Sequence, residues 1–290
     1  MGPSDARWLR LPDGRTLSYY DLGDPGGRPV MLLHGTPQAA IGWAFADGPA
    51  RGLGIRALAP DRPGIGRSSP QPGRALTDYP ADLLALADAL GLERFAVLGW
   101  SAGGPYALAC GALAPDRVTA VGCVAGSCPL DWPGVLDDLN AHDRRMVQLS
   151  RRAPAIARAA LAASAAAARH APGLTMRWSR SQLSPSEQAA TERHRDALAD
   201  LSWFLDAFRQ GAAGVAEDYR VYSVPWGLDP SDVRTRTLLW SGDDDSLVPL
   251  RHAQLLAERI PGATLEVVRG AGHLLPYDHI GAELSALTSG

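Results

Sequence analysis

The sequence predicts an α/β fold: a mostly parallel, doubly wound sheet with an antiparallel hairpin at its N-terminal end and an inserted helical cap. Three observations predict it. Short apolar runs alternate with helix-length segments through the first half of the chain. The alternation stops near Cys128 and gives way to a helical, aromatic-rich stretch, then resumes at Thr237. Alternation of this kind is the mark of a sheet covered by helices on both faces. A helical block between two strands of one sheet reads as an insertion, which divides the chain into a core of residues 1–128 and 233–290 and a cap (lid) of residues 129–232.

The elements follow in chain order. Residues 7–11 and 16–22 read as strands joined by Pro12-Asp13-Gly14, a turn suited to a hairpin. Val30-Met31-Leu32-Leu33 is an apolar run of the kind buried on both faces of a parallel sheet. Residues 55–59 form the next strand and enter a Gly/Pro-rich loop, Asp61-Arg62-Pro63-Gly64-Ile65-Gly66-Arg67-Ser68. A helix is expected over 77–90, capped by Thr77 or Asp78 and stopped by Gly91. Strand 95–98, helix 103–114 and strand 118–124 complete the first half. After the insertion come strand 237–240, helix 251–259, strand 264–268 and a last helix that residues 281–287 begin or continue.

Composition bounds the function. With 290 residues and 46% apolar content, the chain can bury a large core without metals or disulfides. The net charge of -3 argues against a nucleic-acid partner. No segment approaches the roughly 20 apolar residues of a membrane span, and Met1–Trp8 carries no leader-like apolar stretch. Cys110, Cys123 and Cys128 are odd in number and lack zinc-type spacing, so they read as reduced, buried thiols of a cytoplasmic protein. The expected partner is a small-molecule substrate, with no cofactor and no metal; the sequence sets no oligomeric state.

The chemistry centres on Gly99-Trp100-Ser101-Ala102-Gly103, a G-x-S-x-G pattern between an apolar strand and a helix. A sharp strand-to-helix turn there would expose the Ser101 hydroxyl above the sheet. A neutral hydroxyl is a poor nucleophile and needs a base. His273, in Gly270-Ala271-Gly272-His273 after the last strand, is placed to reach over the carboxyl ends of the strands; His279 is the runner-up. The base needs a carboxylate to orient it, and Asp243, Asp244 and Asp245 all follow a strand. An oxyanion hole needs N–H donors, one of which is expected from Ala102, directly after the nucleophile.

These segments resemble the α/β-hydrolase superfamily, from about Leu17 to Asp278. Gly242-Asp243-Asp244-Asp245-Ser246-Leu247-Val248-Pro249 is similar to the family's G-x-x-D-x-x-V-P acid loop, which implies Asp245 as the triad acid. Asp244 is the nearest alternative, and Asp131 a remoter one, since some relatives place the acid there. His34-Gly35-Thr36-Pro37 resembles the family's H-G-x-P loop, which implies the Thr36 N–H as the second oxyanion donor, with His34 a structural brace. Residues 61–68 look like the D-x-P-G-x-G-x-S loop beneath the site, where Asp61 or Arg62 ties the chain down. Dehalogenases and epoxide hydrolases of this superfamily use an Asp nucleophile, so Ser101 argues against both. Proline iminopeptidases typically show H-G-G-P-G and G-S-W-G, from which this chain departs.

The reaction expected is two-step acyl transfer on a carboxylic ester, thioester or lactone of a small apolar substrate. Trp43, Trp100, Trp132, Trp203 and Trp226 are the candidate substrate-binding aromatics. A carbon–carbon bond hydrolase, an acyltransferase or cyclase with the same triad, and a non-turnover ligand receptor on the same fold are the alternatives.

Overall fold

The structure, a computed structural model, describes residues 5–198 and 201–289. Residues 1–4 and 290 of the predicted core, including half of the stretch read for a leader, and residues 199–200 of the predicted cap lie outside the described residues.

Eight strands form one sheet: β1 (Arg7–Arg10), β2 (Thr16–Gly23), β3 (Arg28–Leu33), β4 (Ile55–Pro60), β5 (Phe95–Trp100), β6 (Val118–Val124), β7 (Thr237–Gly242) and β8 (Thr264–Val268), in the order β1-β2-β4-β3-β5-β6-β7-β8. The β1–β2 hairpin and the β2–β4 pair are antiparallel, and all other neighbours are parallel. The hairpin closes where Leu11 N–H donates to Arg15 O and Gly14 turns at φ 87°. Apolar runs in β3 and β5 are unbroken because both sheet faces are covered. Alternate residues serve opposite sides: Met31 and Leu33 pack in one core cluster, Val30 and Leu32 in the other.

Helices α1 (Asp47–Gly52), α2 (Tyr79–Ala89) and α3 (Gly103–Leu113) precede β6. Between β6 and β7 the described chain carries only helical segments, namely α4 (Val135–Asp138), α5 (Ala141–Arg152), α6 (Pro154–His170), α7 (Pro172–Ser181), α8 (Pro185–Arg193), α9 (Arg195–Leu198), α10 (Ser202–Leu205) and α11 (Ala213–Ser223), with short 3-10 turns. Helix α12 (Arg251–Arg259) and helix α13 (Leu275–Thr288) close the fold. No helix among the described residues is long and apolar enough to cross a membrane.

Residues 76–78 form a 3-10 turn, and α2 begins at Tyr79 behind Asp78, one of the two expected caps, with Pro80 in its first turn. Helix α13 begins at Leu275, so residues 281–287 continue it; Pro276 sits in its first turn, where a missing N–H is harmless.

The insertion has a small core of its own. Leu161, Ala165 and Ala157 of α6 pack with Phe208, Val215 and Tyr219, and meet the main body at Ala39 and Ile65. A buried ion cluster adds to this seam. Asp218 of α11 pairs with Arg62 at 2.8 Å and with Arg74, all three side chains being nearly inaccessible to solvent. Burial pushes the Asp218 carboxyl up, but the two guanidiniums more than offset this and hold it at about 2.

Asp218→Asn leaves two buried guanidiniums without their counter-charge, and urea denaturation should show a loss of about 3–5 kcal/mol. In the native protein the Asp218 contribution is complete above its unfolded value of ~3.9. It is lost as pH falls toward the folded value of about 2.

Candidate active site

The parallel strands β3, β5, β7 and β8 all end at one edge of the sheet, so the loops that follow them meet there. Ser101 lies after β5, Asp245 after β7, His273 after β8, and the His34–Pro37 loop after β3.

Only Ser101 and Ala102 separate β5 from α3. Ser101 sits at φ 57°, a left-handed conformation that an L-residue holds only when its surroundings enforce it. Its N–H donates to Val124 O at 2.9 Å and its carbonyl accepts from Gly104 N–H at 2.9 Å. The flanking glycines are required by space: a Cβ at Gly99 would stand 2.2 Å from Gly103 O, and one at Gly103 would stand 2.2 Å from Leu33 O. Ser101 itself is half-buried.

His273 is held at three points. Its Nδ1 lies 2.9 Å from Asp245 Oδ2, its N–H donates to Glu187 Oε1 at 2.9 Å, and its carbonyl accepts from Trp100 Nε1 at 2.9 Å. With Nδ1 as donor to a carboxylate, Nε2 is left to take up a proton. Burial pulls the imidazole pKa down, but the Asp245 charge and hydrogen bond, with Glu187 and Asp143 behind, raise it above its ordinary value. The other oxygen of Asp245 accepts from Leu247 and Val248 N–H at 2.9 and 2.8 Å.

Of the three adjacent acids, the structure brings Asp245 to His273. Asp243 accepts from Gly270 N–H at 2.6 Å and Asp244 from Ser186 N–H at 3.4 Å, so both hold loops. Asp131 is exposed, and His279 lies half-buried on α13.

The loop after β3 lies against the elbow, since a Cβ at Gly35 would be 3.2 Å from Ser101 Cβ. His34 braces it. Its Nε2 accepts from Arg62 N–H at 3.2 Å, so Nδ1 carries the proton and donates to Gly35 O at 2.8 Å. Burial and then the Arg62 charge push its pKa down to about 3, which keeps the ring neutral. The peptide bond between Thr36 and Pro37 is cis. Thr36 Oγ1 donates to Asp218 at 3.0 Å and accepts from Arg62 Nη2 at 2.8 Å. With the hydroxyl engaged, any contribution of Thr36 to an oxyanion hole falls to its main-chain N–H. Asp61 accepts from Ser18 Oγ at 2.7 Å and from Ala40 N–H at 2.8 Å, which anchors the loop beneath.

The structure does not gather the five tryptophans into one wall. Trp100 lies beside His273, with ring centroids 5.9 Å apart, and Trp43 is fully buried behind it at 5.8 Å. Trp203 packs half-buried against the same cluster. Trp226 is buried in the other core cluster and Trp132 packs against it, on the Met31 side of the sheet. Sequence reasoning also misses Glu187 and Asp218, which the insertion brings to the loops of His273 and Thr36. Ser184-Pro185-Ser186-Glu187 carries a capping-box signal, but that pattern speaks only for the start of a helix.

A family model for the α/β hydrolase fold matches residues 28–280. The chain belongs to the α/β hydrolase fold family. Several relatives of this α/β hydrolase are themselves hydrolases. It is 27% identical over 284 residues to a 2-hydroxy-6-oxononadienedioate/2-hydroxy-6-oxononatrienedioate hydrolase of Pseudomonas putida, covering 95% of this chain and 92% of that protein. It is 28% identical over 308 residues to epoxide hydrolase A of Mycobacterium tuberculosis, covering 96% and 95%. A 35% identity to the dihydrolipoyllysine-residue acetyltransferase component of the acetoin cleaving system of Pseudomonas putida extends over 115 residues, 39% of this chain and 31% of that protein. Among solved structures, a hydrolase from Pseudomonas aeruginosa PA01 superposes over 100% of both chains with a TM-score of 0.73 at 20% identity. At that identity the likeness is one of fold.

Two measurements check this geometry. Gly103→Ala forces a Cβ against backbone and should lower stability by about 1–3 kcal/mol in a denaturant titration. NMR titration should place the His273 imidazole above ~6.5, with the value falling in Asp245→Asn.

Proposed function

We propose that this α/β hydrolase works as a serine hydrolase, with Ser101 as nucleophile, His273 as base, Asp245 as orienter and residues 129–232 as a cap over the site. The observation that carries the reading is the left-handed Ser101 at the elbow, sharing one sheet edge with a hydrogen-bonded His273–Asp245 pair. Ser101 attacks a carbonyl carbon while His273 Nε2 takes the hydroxyl proton. The N–H groups of Ala102 and Thr36 receive the oxyanion, each contributing on the order of 3 kcal/mol. The imidazolium then protonates the leaving group, and water, deprotonated by His273, releases the acid from Ser101.

The substrate class we propose is a carboxylic ester, thioester or lactone of a small apolar molecule. Trp100 and Tyr277 lie on the His273 side of the site with Trp43 and Phe45 packed against them, an apolar setting that favours such a group. The three buried free cysteines fit a cytoplasmic setting. A second reading is hydrolysis of an oxo-dienoic acid by carbon–carbon cleavage, favoured by the nearly full-length likeness to the Pseudomonas putida enzyme.

A fluorophosphonate probe should label Ser101 and no other serine, with labelling lost in Ser101→Ala and sharply reduced in His273→Ala; an unlabelled wild type overturns the reading. Turnover of short p-nitrophenyl esters should drop about 10⁴-fold in Asp245→Asn, where the tautomer is no longer fixed. Because the base must be neutral, kcat/KM should rise with pH through a midpoint above ~6.5. Faster turnover of an oxo-dienoic acid than of any ester would select the second reading.

A further inference from the structure

The Glu187 carboxylate comes from α8 in the insertion, yet it is fully enclosed against the two loops that carry the acid and the base. Four donors meet it: His273 N–H at 2.9 Å and Ser246 N–H at 3.2 Å on Oε1, Ser184 N–H at 2.7 Å and Ser246 Oγ at 2.5 Å on Oε2. Ser246 directly follows Asp245, so one carboxylate joins the main chain of the base to the residue beside its orienter. The approach is close enough to dictate sequence on the other side, since a Cβ at Gly272 would stand 2.2 Å from Glu187 Cγ. Further ties fasten the same region of the insertion: Ser186 N–H to Asp244 at 3.4 Å, and Arg193 and His194 to Asp278 of α13 at 2.5 and 2.6 Å.

A buried carboxylate with four donors is a well-satisfied anion, and an anion there acts on a neighbouring imidazolium in two ways. It fixes the main chain from which the ring projects, and it adds negative charge beside the proton that the ring acquires. We propose that Glu187 is a positioning residue through which the helical insertion holds the catalytic base and stabilises its protonated form, resting on the triad reading above. Among the described residues, the leading charges acting on His273 are Asp245 from the loop after β7, Glu187 from α8 and Asp143 from α5. Tyr277 of α13 packs against His194, which pairs with Asp278. Seating of the insertion and alignment of the base are then one event: lifting α8 removes the acceptor of the His273 N–H.

The test compares Glu187→Gln, which keeps the shape and removes the charge, with Glu187→Asp, which keeps the charge and shortens the reach. NMR titration of the His273 imidazole, which needs no turnover, should show a lower midpoint in Glu187→Gln and one near wild type in Glu187→Asp. The fluorophosphonate labelling rate at Ser101 should fall by about tenfold or more in both, as a displaced base predicts. An unmoved midpoint in folded Glu187→Gln, or wild-type labelling rates in both variants, overturns the proposal. If Glu187→Gln does not fold, Gly272→Ala, which pushes the carboxylate off the His273 N–H and keeps its charge, should slow labelling as Glu187→Asp does, and a wild-type labelling rate there overturns the proposal equally. A wild type that titrates as expected but is not labelled sinks the serine-hydrolase reading and leaves the titration result standing.

Discussion

Backbone packed on backbone at the turn from β5 into α3 is the constraint on which the site depends. Neither Gly99 nor Gly103 has room for a Cβ, because carbonyl groups of α3 and of β3 occupy the space. That contact forces Ser101 into its left-handed conformation. It also brings the end of β3, and so the His34–Pro37 loop, against the elbow. Ser101 and the proposed oxyanion donors are thus placed by the same close approach, before any side chain of the site is considered. Parallel pairing through β5, β6, β7 and β8 then puts the loops of Asp245 and His273 at that edge.

Charge is arranged unevenly around this turn. On the side of Thr36, two buried guanidiniums share one carboxylate, Asp218. On the side of His273, Asp245 meets the imidazole and Glu187 the main-chain N–H. Desolvation opposes every one of these charges, and each cluster persists because partners and hydrogen bonds outweigh it. The polarity matches the charge separation of the proposed acyl-transfer step, with its oxyanion near Thr36 and its imidazolium at His273. Both clusters hold one residue from the insertion. Charge therefore does double duty, tuning the site and seating the helices over it.

What was legible in the sequence is what depends on local pattern. Apolar runs marked the strands because both sheet faces are covered, and the glycines around Ser101 marked the elbow because backbone contact excludes larger residues. Asp78, one of the two expected caps, precedes α2, whereas the start of α13 at Leu275 had no named signal ahead of the 281–287 stretch that continues it. The choice among Asp243, Asp244 and Asp245 rested on resemblance, since three adjacent carboxylates differ only in the direction the loop points them. Glu187 and Asp218 were illegible for another reason. Their partners lie 86 and 156 positions away, and nothing near them in the chain refers to those distances. The tryptophans show the same limit, because composition does not say which face of the sheet a ring will occupy.

The insertion joins the core in two physically different ways. Its apolar contact is broad: Leu130, Val135, Leu139, Val147, Val221 and Trp226 lie in one main core cluster, Leu198 lies in the other, and the cluster around α6 meets the main body at Ala39 and Ile65. Apolar burial has no preferred direction. Buried ion pairs and carboxylate-to-amide bonds are directional, and a shift of about an ångström breaks them. Asp218 and Glu187 thus set where α11 and α8 sit, while the surfaces of α6 and α7 turned away from the core answer to neither. The parts of the insertion that hold His273 and the Thr36 loop are therefore distinct from its outward surfaces.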